Sequence, residues 1–197
     1  MVLEDEVTER PRRSNYVERR GEVARSDSCR LKTVTRVFVF EDPDGSVAER
    51  LRKGASADLF ADKLREVRVA EGNVFLNEGV EFIWRAVTGA PGLTYFDSAN
   101  AHVGVGDGTA PESPDQTGLQ GVNKCYKRVD SGYPVISGNI VRFRATFGPD
   151  EANFDWREWT VANGSSDDAV NLNRKVQDMG KKVQGTTWTI EVQLKIT

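Results

Sequence analysis

The chain has 197 residues, of which 38% are hydrophobic, and it carries a formal net charge of −3. This length and apolar content suffice for one sizeable core, whereas a slightly acidic balance gives no sign of a phosphate-binding surface, so we expect no nucleic-acid partner. No run approaches the roughly 20 apolar residues of a membrane span, and the first residues hold no apolar signal-peptide core. We therefore expect a protein that stays in the cytoplasm or is assembled there into something larger.

Charged residues of both signs dominate residues 1–30, and apolar residues there are too few to form a core. We expect a charged N-terminal arm, and two interpretations of it stay open. It is either a disordered tail or an extended segment that lies on a neighbouring subunit. In the second case the arginines of the arm are candidate interface residues, namely Arg10, Arg12, Arg13, Arg19 and Arg20.

Residues 31–71 are predicted to form a small N-terminal element. Leu31 to Glu41 is rich in β-branched and aromatic residues, which is typical of a strand, and the turn signal Asp42-Pro43-Asp44-Gly45 follows it. Residues 47–69 mix apolar and charged residues without a clear period. They are compatible with one or two short helices or with a further hairpin.

One amphipathic helix is predicted over residues 77–88. Leu76, Val80, Ile83, Trp84 and Val87 recur at helical spacing, which predicts one buried face. We expect Asn77 to cap the start of this helix, and Gly89 marks its end.

The remainder of the chain predicts short antiparallel strands separated by turn residues, which favours a β-sandwich or small barrel over residues 72–197. The candidate strands are Ala101 to Val105, Lys124 to Asp130, Tyr133 to Ile136, Asn139 to Phe147, Arg157 to Val161, Asn173 to Asp178 and Thr186 to Ile196. The last strand alternates cleanly from Trp188 to Ile196. We expect its apolar side to be buried and its polar side, from Thr187 to Thr197, to form an outer surface.

Two groups of residues invite a ligand-binding interpretation. Gly104, Gly106 and Gly108 resemble part of a nucleotide loop, but no helix can start after them, so a strand end and a tight turn are favoured. The oxygen-bearing residues that could hold calcium are Asp97, Asn100, Asp107 and Asp115. Their spacing is not that of a known calcium loop, so we favour side chains that cap their own turns.

Catalytic chemistry has little support in the sequence. His102 is the single histidine and lies in a predicted strand, and no nucleophile-elbow motif accompanies it. Cys29 and Cys125 have no neighbouring metal-ligand partner, so we expect neither a metal nor another cofactor, and two free thiols rather than a disulfide. On a continuous strand Trp156 and Trp159 would face opposite ways, so one could lie in the core and the other could face a partner or stack on a sugar. We favour core packing of both.

A series of phrases from Leu76 to Thr197 resembles a family of structural proteins of tailed-bacteriophage virions. The phrases are LNEGVEFIWRAVTG, YFDSANAHVGVGDGT, QTGLQGVNKCYKRVDSGYP, NIVRFRATFGPDEANFDWREWTVANG, and LNRKV followed by GTTWTIEVQLKI. The resemblance implies a non-enzymatic virion protein. It favours a capsid decoration protein that binds the major capsid protein as a homo-oligomer, with a trimer favoured. A tail, baseplate or fibre-adaptor protein is the alternative, and a glycan-active enzyme is the minority hypothesis.

Overall fold

A computed structural model of the protein describes residues 31–197, and the fold is mainly β. The strands described there are β1 Leu31–Glu41, β2 Leu64–Glu71, β3 Val74–Phe75, β4 His102–Gly106, β5 Lys124–Arg128, β6 Val135–Ser137, β7 Ile140–Phe147, β8 Glu158–Ala162, β9 Asn173–Val176 and β10 Thr186–Ile196. The helices are α1 Ser46–Arg52, α2 Asn77–Val87 and a 3₁₀ helix, Ala57–Phe60. Every strand predicted from the sequence is present, with ends that agree within two residues.

Two antiparallel sheets of five strands each pack face to face. The first sheet has the order β2-β1-β10-β7-β6 and the second has the order β3-β9-β8-β4-β5. The expected sandwich is therefore confirmed in preference to a barrel. The main core lies between the sheets, and the alternate residues of β10 from Trp188 to Leu194 point into it, as their spacing predicted.

The N-terminal strands belong to the sandwich and do not form a separate small element. β1 lies between β2 and β10, and its register with β10 runs without interruption from the pair Leu31 and Ile196 to the pair Glu41 and Thr186. The boundary predicted after residue 71 is therefore wrong. Residues 47–69, for which helices and a hairpin were both open, form α1, the 3₁₀ helix and most of β2.

A second, smaller core lies on the outer face of the first sheet. It is formed by Phe40, Val47, Leu51 and Phe60, where α1 and the 3₁₀ helix cover the strands. The polar side of β10 was expected to be an outer surface. For its first two residues this is wrong, because Thr187 and Thr189 are fully buried under this layer.

Buried polar groups beneath α1 are paired with one another. Asp130 accepts hydrogen bonds from Arg144 Nε (2.9 Å) and from Thr146 Oγ1 (2.7 Å), and Arg144 Nη2 donates to the carbonyl of Leu51 (2.9 Å). Since a buried ion needs partners for its charge and its hydrogen bonds, this network explains how β7 carries an arginine on a covered face.

Candidate interaction surface

The apolar face of α2 points to solvent. It consists of Val80, Ile83, Trp84 and Val87, which we call the apolar stripe, and Trp84 and Val87 are 64% and 73% exposed. The prediction that this face is buried is wrong. Only Leu76, which precedes the first helical residue, is buried as expected.

The opposite side of α2 packs on the sandwich through a close backbone approach. A Cβ atom added at Gly79 would lie 2.5 Å from the carbonyl oxygen of Leu172, so the helix contacts the chain next to β9 directly. One turn later, Phe82 packs edge-to-face against Phe96 with ring centroids 5.0 Å apart. These contacts fix the rotation of α2, and that rotation leaves the apolar stripe outside.

The start of α2 also differs from the expectation. Leu76 occupies the capping position and makes no side-chain hydrogen bond to the helix, so Asn77 is not the cap. Instead, Asn77 Nδ2 donates to Asp115 Oδ1 (2.7 Å), and the Asn77 amide donates to the carbonyl of Pro114 (2.8 Å). The first turn of α2 is thereby tied to the loop that follows β4.

An apolar groove of about 470 Å³ lies beside the stripe, between α2 and the ends of the first-sheet strands. Ile83 belongs to both surfaces, and the groove opens at Ile136 and Ile196, which are 76% and 57% exposed. Its lining is Phe75, Phe82, Ile83, Phe96, Ile136, Gly138, Asn139, Ile140, Val141, Leu172, Leu194 and Ile196. Stripe and groove together form a continuous apolar surface of the kind that marks interaction sites.

Sequence patterns did not reveal the groove. Ile196 has the parity of the buried residues of β10, so alternation placed it in the core, whereas this last residue of the strand is exposed. Ile136 lies in the three-residue strand β6, all of which is exposed. An exposed isoleucine next to the turn Ser137-Gly138 is the one local signal that could have indicated this site.

The loop between β4 and β5 is held by a buried carboxylate. Glu158 is fully buried and accepts hydrogen bonds from the amides of Gly108 (3.1 Å), Gln120 (3.0 Å) and Gly121 (2.6 Å). A Cβ atom at Gly106 or Gly108 would lie within 2.6 Å of the Glu158 side chain. The glycines therefore make room for Glu158, and the interpretation of a strand end is confirmed because β4 stops at Gly106.

Arg174 neutralises Glu158 in the interior. Its Nε donates to Glu158 Oε2 (2.7 Å), and its Nη2 lies 2.6 Å from the same oxygen in an ion-pair contact whose angle is not that of a hydrogen bond. Its Nη1 donates to the carbonyl of Ala110 (2.9 Å) and to Gln116 Oε1 (2.8 Å). Glu158 and Arg174 are themselves fully buried, so this ion pair holds the loop from the interior.

A second carboxylate, Asp167, anchors the same loop from outside. Burial alone would raise the pKa of Asp167, but hydrogen bonds from Lys124, from the Tyr126 hydroxyl and from the Leu119 amide outweigh it and lower the pKa. Burial and this carboxylate raise the pKa of the Tyr126 phenol. Two carboxylates therefore hold the loop, Glu158 from the interior and Asp167 from outside.

The four candidate calcium ligands do not come together. Asp97 accepts from the amides of Ala99 and Asn100 (both 2.9 Å) and from the Asn100 side chain. Asp107 accepts from the amides of Val122 (2.8 Å) and Asn123 (3.0 Å), and Asp115 accepts from Asn77, as described above. The favoured interpretation is confirmed for Asp97, which caps its own turn. It is wrong for Asp107, whose partners lie 15 and 16 residues later in the chain, across the loop.

The remaining candidate residues occupy structural positions. His102 Nδ1 lies 2.7 Å from the Asn100 carbonyl oxygen at the start of β4. Across residues 31–197, no three histidine, cysteine, aspartate or glutamate side chains are grouped so that they could hold a metal ion.

Trp156 and Trp159 are not interface residues. Both are buried; Trp156 packs edge-to-face against Phe147 and Trp188, and Trp159 Nε1 donates to Thr35 Oγ1 (3.0 Å). The idea that they face opposite ways assumed one continuous strand, but Trp156 precedes β8 and pairs with the Gly180 region through its own backbone. The alternative that one of the two faces a partner or stacks on a sugar is therefore wrong, and the expected core packing of both is confirmed.

The candidate interface arginines of the arm, Arg10, Arg12, Arg13, Arg19 and Arg20, lie outside the described residues, and so does Cys29. Cys125 is half-buried on β5, and burial raises the pKa of its thiol. Because Cys29 is not described, the expectation that both thiols are free stays a prediction.

Comparison with known proteins gives no relative for this chain: no protein-family model, curated protein or solved structure matches it. In the part of the chain that is described, neither α-helix has the length and apolar content needed to cross a membrane. The surface geometry is therefore the basis for a functional assignment.

Proposed function

We propose that this chain is a non-enzymatic structural subunit of a tailed-bacteriophage virion, and specifically a capsid decoration protein that binds the assembled head as a homo-oligomer, with a trimer favoured. The observation that supports an assembly role is the solvent-facing apolar stripe of α2. The five sequence phrases between Leu76 and Thr197 supply the connection to virions. The partner surface would be the major capsid protein or a second copy of this chain.

The residue types of the stripe are typical of a protein–protein interface. Trp84 is the residue type most enriched among contacts that dominate binding energy, and Val80, Ile83 and Val87 surround it on one helix face. A helix that presents residues at i, i+3, i+4 and i+7 is suited to dock into an apolar groove of a partner. A partner that covered the stripe would gain about 25 cal/mol of binding free energy for each Å² of apolar surface removed from water.

Two alternatives find less support in the positions of the residues that suggested them. A tail protein that binds a saccharide through Trp156 or Trp159 would need those rings at the surface, and both are buried. A hydrolase built on His102 with Asp97 or Asp107 would need these side chains to share a site, and both carboxylates are already engaged by amides of their own loops. Tail location without saccharide binding stays open to the test below.

The test is incorporation of a stripe variant into particles. Particles are grown with the gene replaced by Trp84→Ser with Val87→Ser, and copy number per particle is measured by quantitative mass spectrometry. The matched control is Val122→Ser, which removes a valine that is 95% exposed in another loop. We expect the double variant to be lost from particles and the control to be retained, and incorporation of the double variant at wild-type copy number would overturn the proposal.

The same measurement separates head from tail. A copy number comparable to the number of shell subunits indicates decoration of the capsid. A small copy number indicates a tail component. Electron cryomicroscopy of the intact particle then locates the chain. Absence of the wild-type chain from purified particles would reject a virion role altogether.

A further inference from the structure

The apolar stripe and the apolar groove lie side by side on the molecule. Ile83 belongs to both, and the groove opens at the exposed residues Ile136 and Ile196. The stripe is the exposed ridge of α2, whereas the groove is a depression of about 470 Å³. One molecule therefore presents a convex apolar surface and a concave apolar surface next to each other.

We infer that the partner at this surface is a second copy of this chain, with the stripe of one copy seated in the groove of the other. The inference rests on the homo-oligomer part of the proposed function and names the contact that forms it, whereas the virion role does not enter it. In a two-fold pair, each copy gives its stripe to the other. In the trimer favoured above, each copy gives its stripe to the next copy around the ring.

Neither the stripe nor the groove carries a charge. No residue that forms the stripe or lines the groove is Asp, Glu, Lys or Arg, although these residues make up 29% of the chain. A contact between the two surfaces therefore takes no ion out of water, a step that would oppose binding. A partner that covers this whole surface needs an uncharged groove and an uncharged ridge of its own, and the chain itself has both.

The two surfaces also fit each other in shape. A groove of about 470 Å³ lies within the range of about 300 to 1,000 Å³ that holds a small organic ligand, so it has room for the indole of Trp84 and a neighbouring valine. The spacing i, i+3, i+4 and i+7 of the stripe is that of helices that dock into apolar grooves. α2 cannot enter its own groove, because the approach of Gly79 to Leu172 holds it on the sandwich and its Ile83 already lines the groove.

The exposed area is sufficient for a contact between two copies. The exposed fractions of the four stripe residues and of Ile136 and Ile196 correspond to roughly 500 Å² of side-chain surface per copy. Specific interfaces bury about 600 to 1,000 Å² per partner when backbone and polar rim are included. With the backbone around these side chains, the surface reaches the lower end of that range, so we expect association that depends on concentration.

The first test alters the two surfaces separately in the full chain. The stripe variant is Trp84→Ser with Val87→Ser, the groove variant is Ile136→Ser with Ile196→Ser, and the matched control is Val122→Ser in another loop. All five side chains are exposed, so the fold should be unchanged, which circular dichroism checks. In sedimentation velocity over a range of concentrations, the wild-type chain and the control should self-associate. The dissociation constant of both variants should be raised about tenfold or more.

A mixture of the two variants tests which surfaces meet. In either variant alone, every stripe-in-groove contact has one altered side. In the mixture, the intact stripe of the groove variant can enter the intact groove of the stripe variant. We therefore expect the mixture to associate more strongly than either variant alone at the same total concentration.

Three results of these experiments would overturn the inference. A groove variant that associates like the wild-type chain would show that the stripe meets a different surface. A mixture that associates no better than its components would show that stripe and groove do not meet. A wild-type chain that stays monomeric would assign the surface to another protein, and loss of the stripe variant from particles would in that case retain the virion role while this inference is rejected.

The second test follows Trp84 directly. Trp84 is 64% exposed, whereas Trp156, Trp159 and Trp188 are each only 1% exposed. Because the contact covers Trp84, the tryptophan emission of the wild-type chain should move to shorter wavelength as concentration rises. The groove variant should show no such shift over the same range. An emission that is independent of concentration in the wild-type chain, or an equal shift in the groove variant, would contradict the inference.

Discussion

The two α-helices carry apolar residues at helical spacing, but only one of them is covered. α1 buries Val47, Ala48 and Leu51 on the first sheet, whereas α2 leaves Trp84 and Val87 in solvent. The start of α1 is also fixed by the Asp42 carboxylate, which accepts from the amides of Val47 (3.0 Å) and Ala48 (2.9 Å). The difference teaches that periodicity tells which residues share a face but not what covers that face.

The largest effect should come from the covered helix. Leu51→Ala removes a fully buried side chain from the smaller core, and truncations of this kind cost about 2 to 5 kcal/mol of the free energy of unfolding. Urea denaturation followed by tryptophan fluorescence measures this value. A loss below about 1 kcal/mol would show that α1 contributes little to the fold and would remove the contrast between the helices.

A smaller loss is expected where α2 contacts the sandwich. Alanine usually favours a helix over glycine by about 1 kcal/mol, but a Cβ at position 79 meets the Leu172 backbone, and overpacking of this kind costs about 1 to 3 kcal/mol. Gly79→Ala should therefore lower the free energy of unfolding in the same urea experiment. Glu81→Ala, an exposed change on the same helix, is the control. A more stable Gly79→Ala protein would contradict the close approach.

A still smaller effect on folding is expected at the apolar stripe. Trp84→Ser and Val87→Ser, tested singly in dilute solution, should each change the free energy of unfolding by no more than about 0.5 kcal/mol, since both residues are mostly exposed. Sedimentation velocity at increasing concentration should show less self-association than for the wild-type chain. If either change costs as much as Leu51→Ala, the stripe is covered within the monomer and the comparison fails.

The smallest effect concerns the first turn of α2. Burial raises the pKa of Glu78 above its ordinary value of 4.5, opposed in part by the hydrogen bond from the Asn171 amide. A carboxyl group whose pKa is raised on folding stabilises the fold below its ordinary pKa, and this contribution is lost as pH rises through the raised value. Glu78→Gln keeps an acceptor for Asn171 and removes the titration.

The stability of the wild-type chain relative to Glu78→Gln should therefore fall as pH rises from the ordinary pKa of 4.5 through the raised value. Urea unfolding curves of both proteins over this range measure the difference. A difference that is constant with pH would show that Glu78 has the same pKa in the folded and unfolded states.

Much of the fold could be predicted from the sequence because the residue pattern of a strand is contained in a few consecutive residues. The alternation in β10 and the β-branched run in β1 gave both strands their observed bounds. β2 escaped prediction because it is an edge strand whose outward Val67 and Val69 are exposed, so it shows no buried alternation. The short β3 has too few residues to show a period.

The interaction surface could not be predicted because it depends on contacts between distant residues. The outward rotation of α2 follows from the approach of Gly79 to Leu172, 93 residues later in the chain. The groove is lined by the end of β10, the start of β7 and that helix, three elements that are distant in the chain. Likewise, a buried ion pair of Glu158 and Arg174 anchors the β4–β5 loop. The sequence around these two residues gives no sign that they are buried.

The central position of β1 in the first sheet has a consequence for biosynthesis. β1 is among the first described segments to leave the ribosome, but one of its two neighbours is β10, with which it is paired over eleven consecutive positions. Until that last strand is translated, β1 has only β2 beside it, and β7 likewise lacks its partner on that side. Sheets dominated by such distant pairings fold in milliseconds to seconds rather than microseconds. The nascent chain therefore has to keep its longest apolar strand from mispairing throughout translation, and the native sheet closes only when synthesis of β10 is complete.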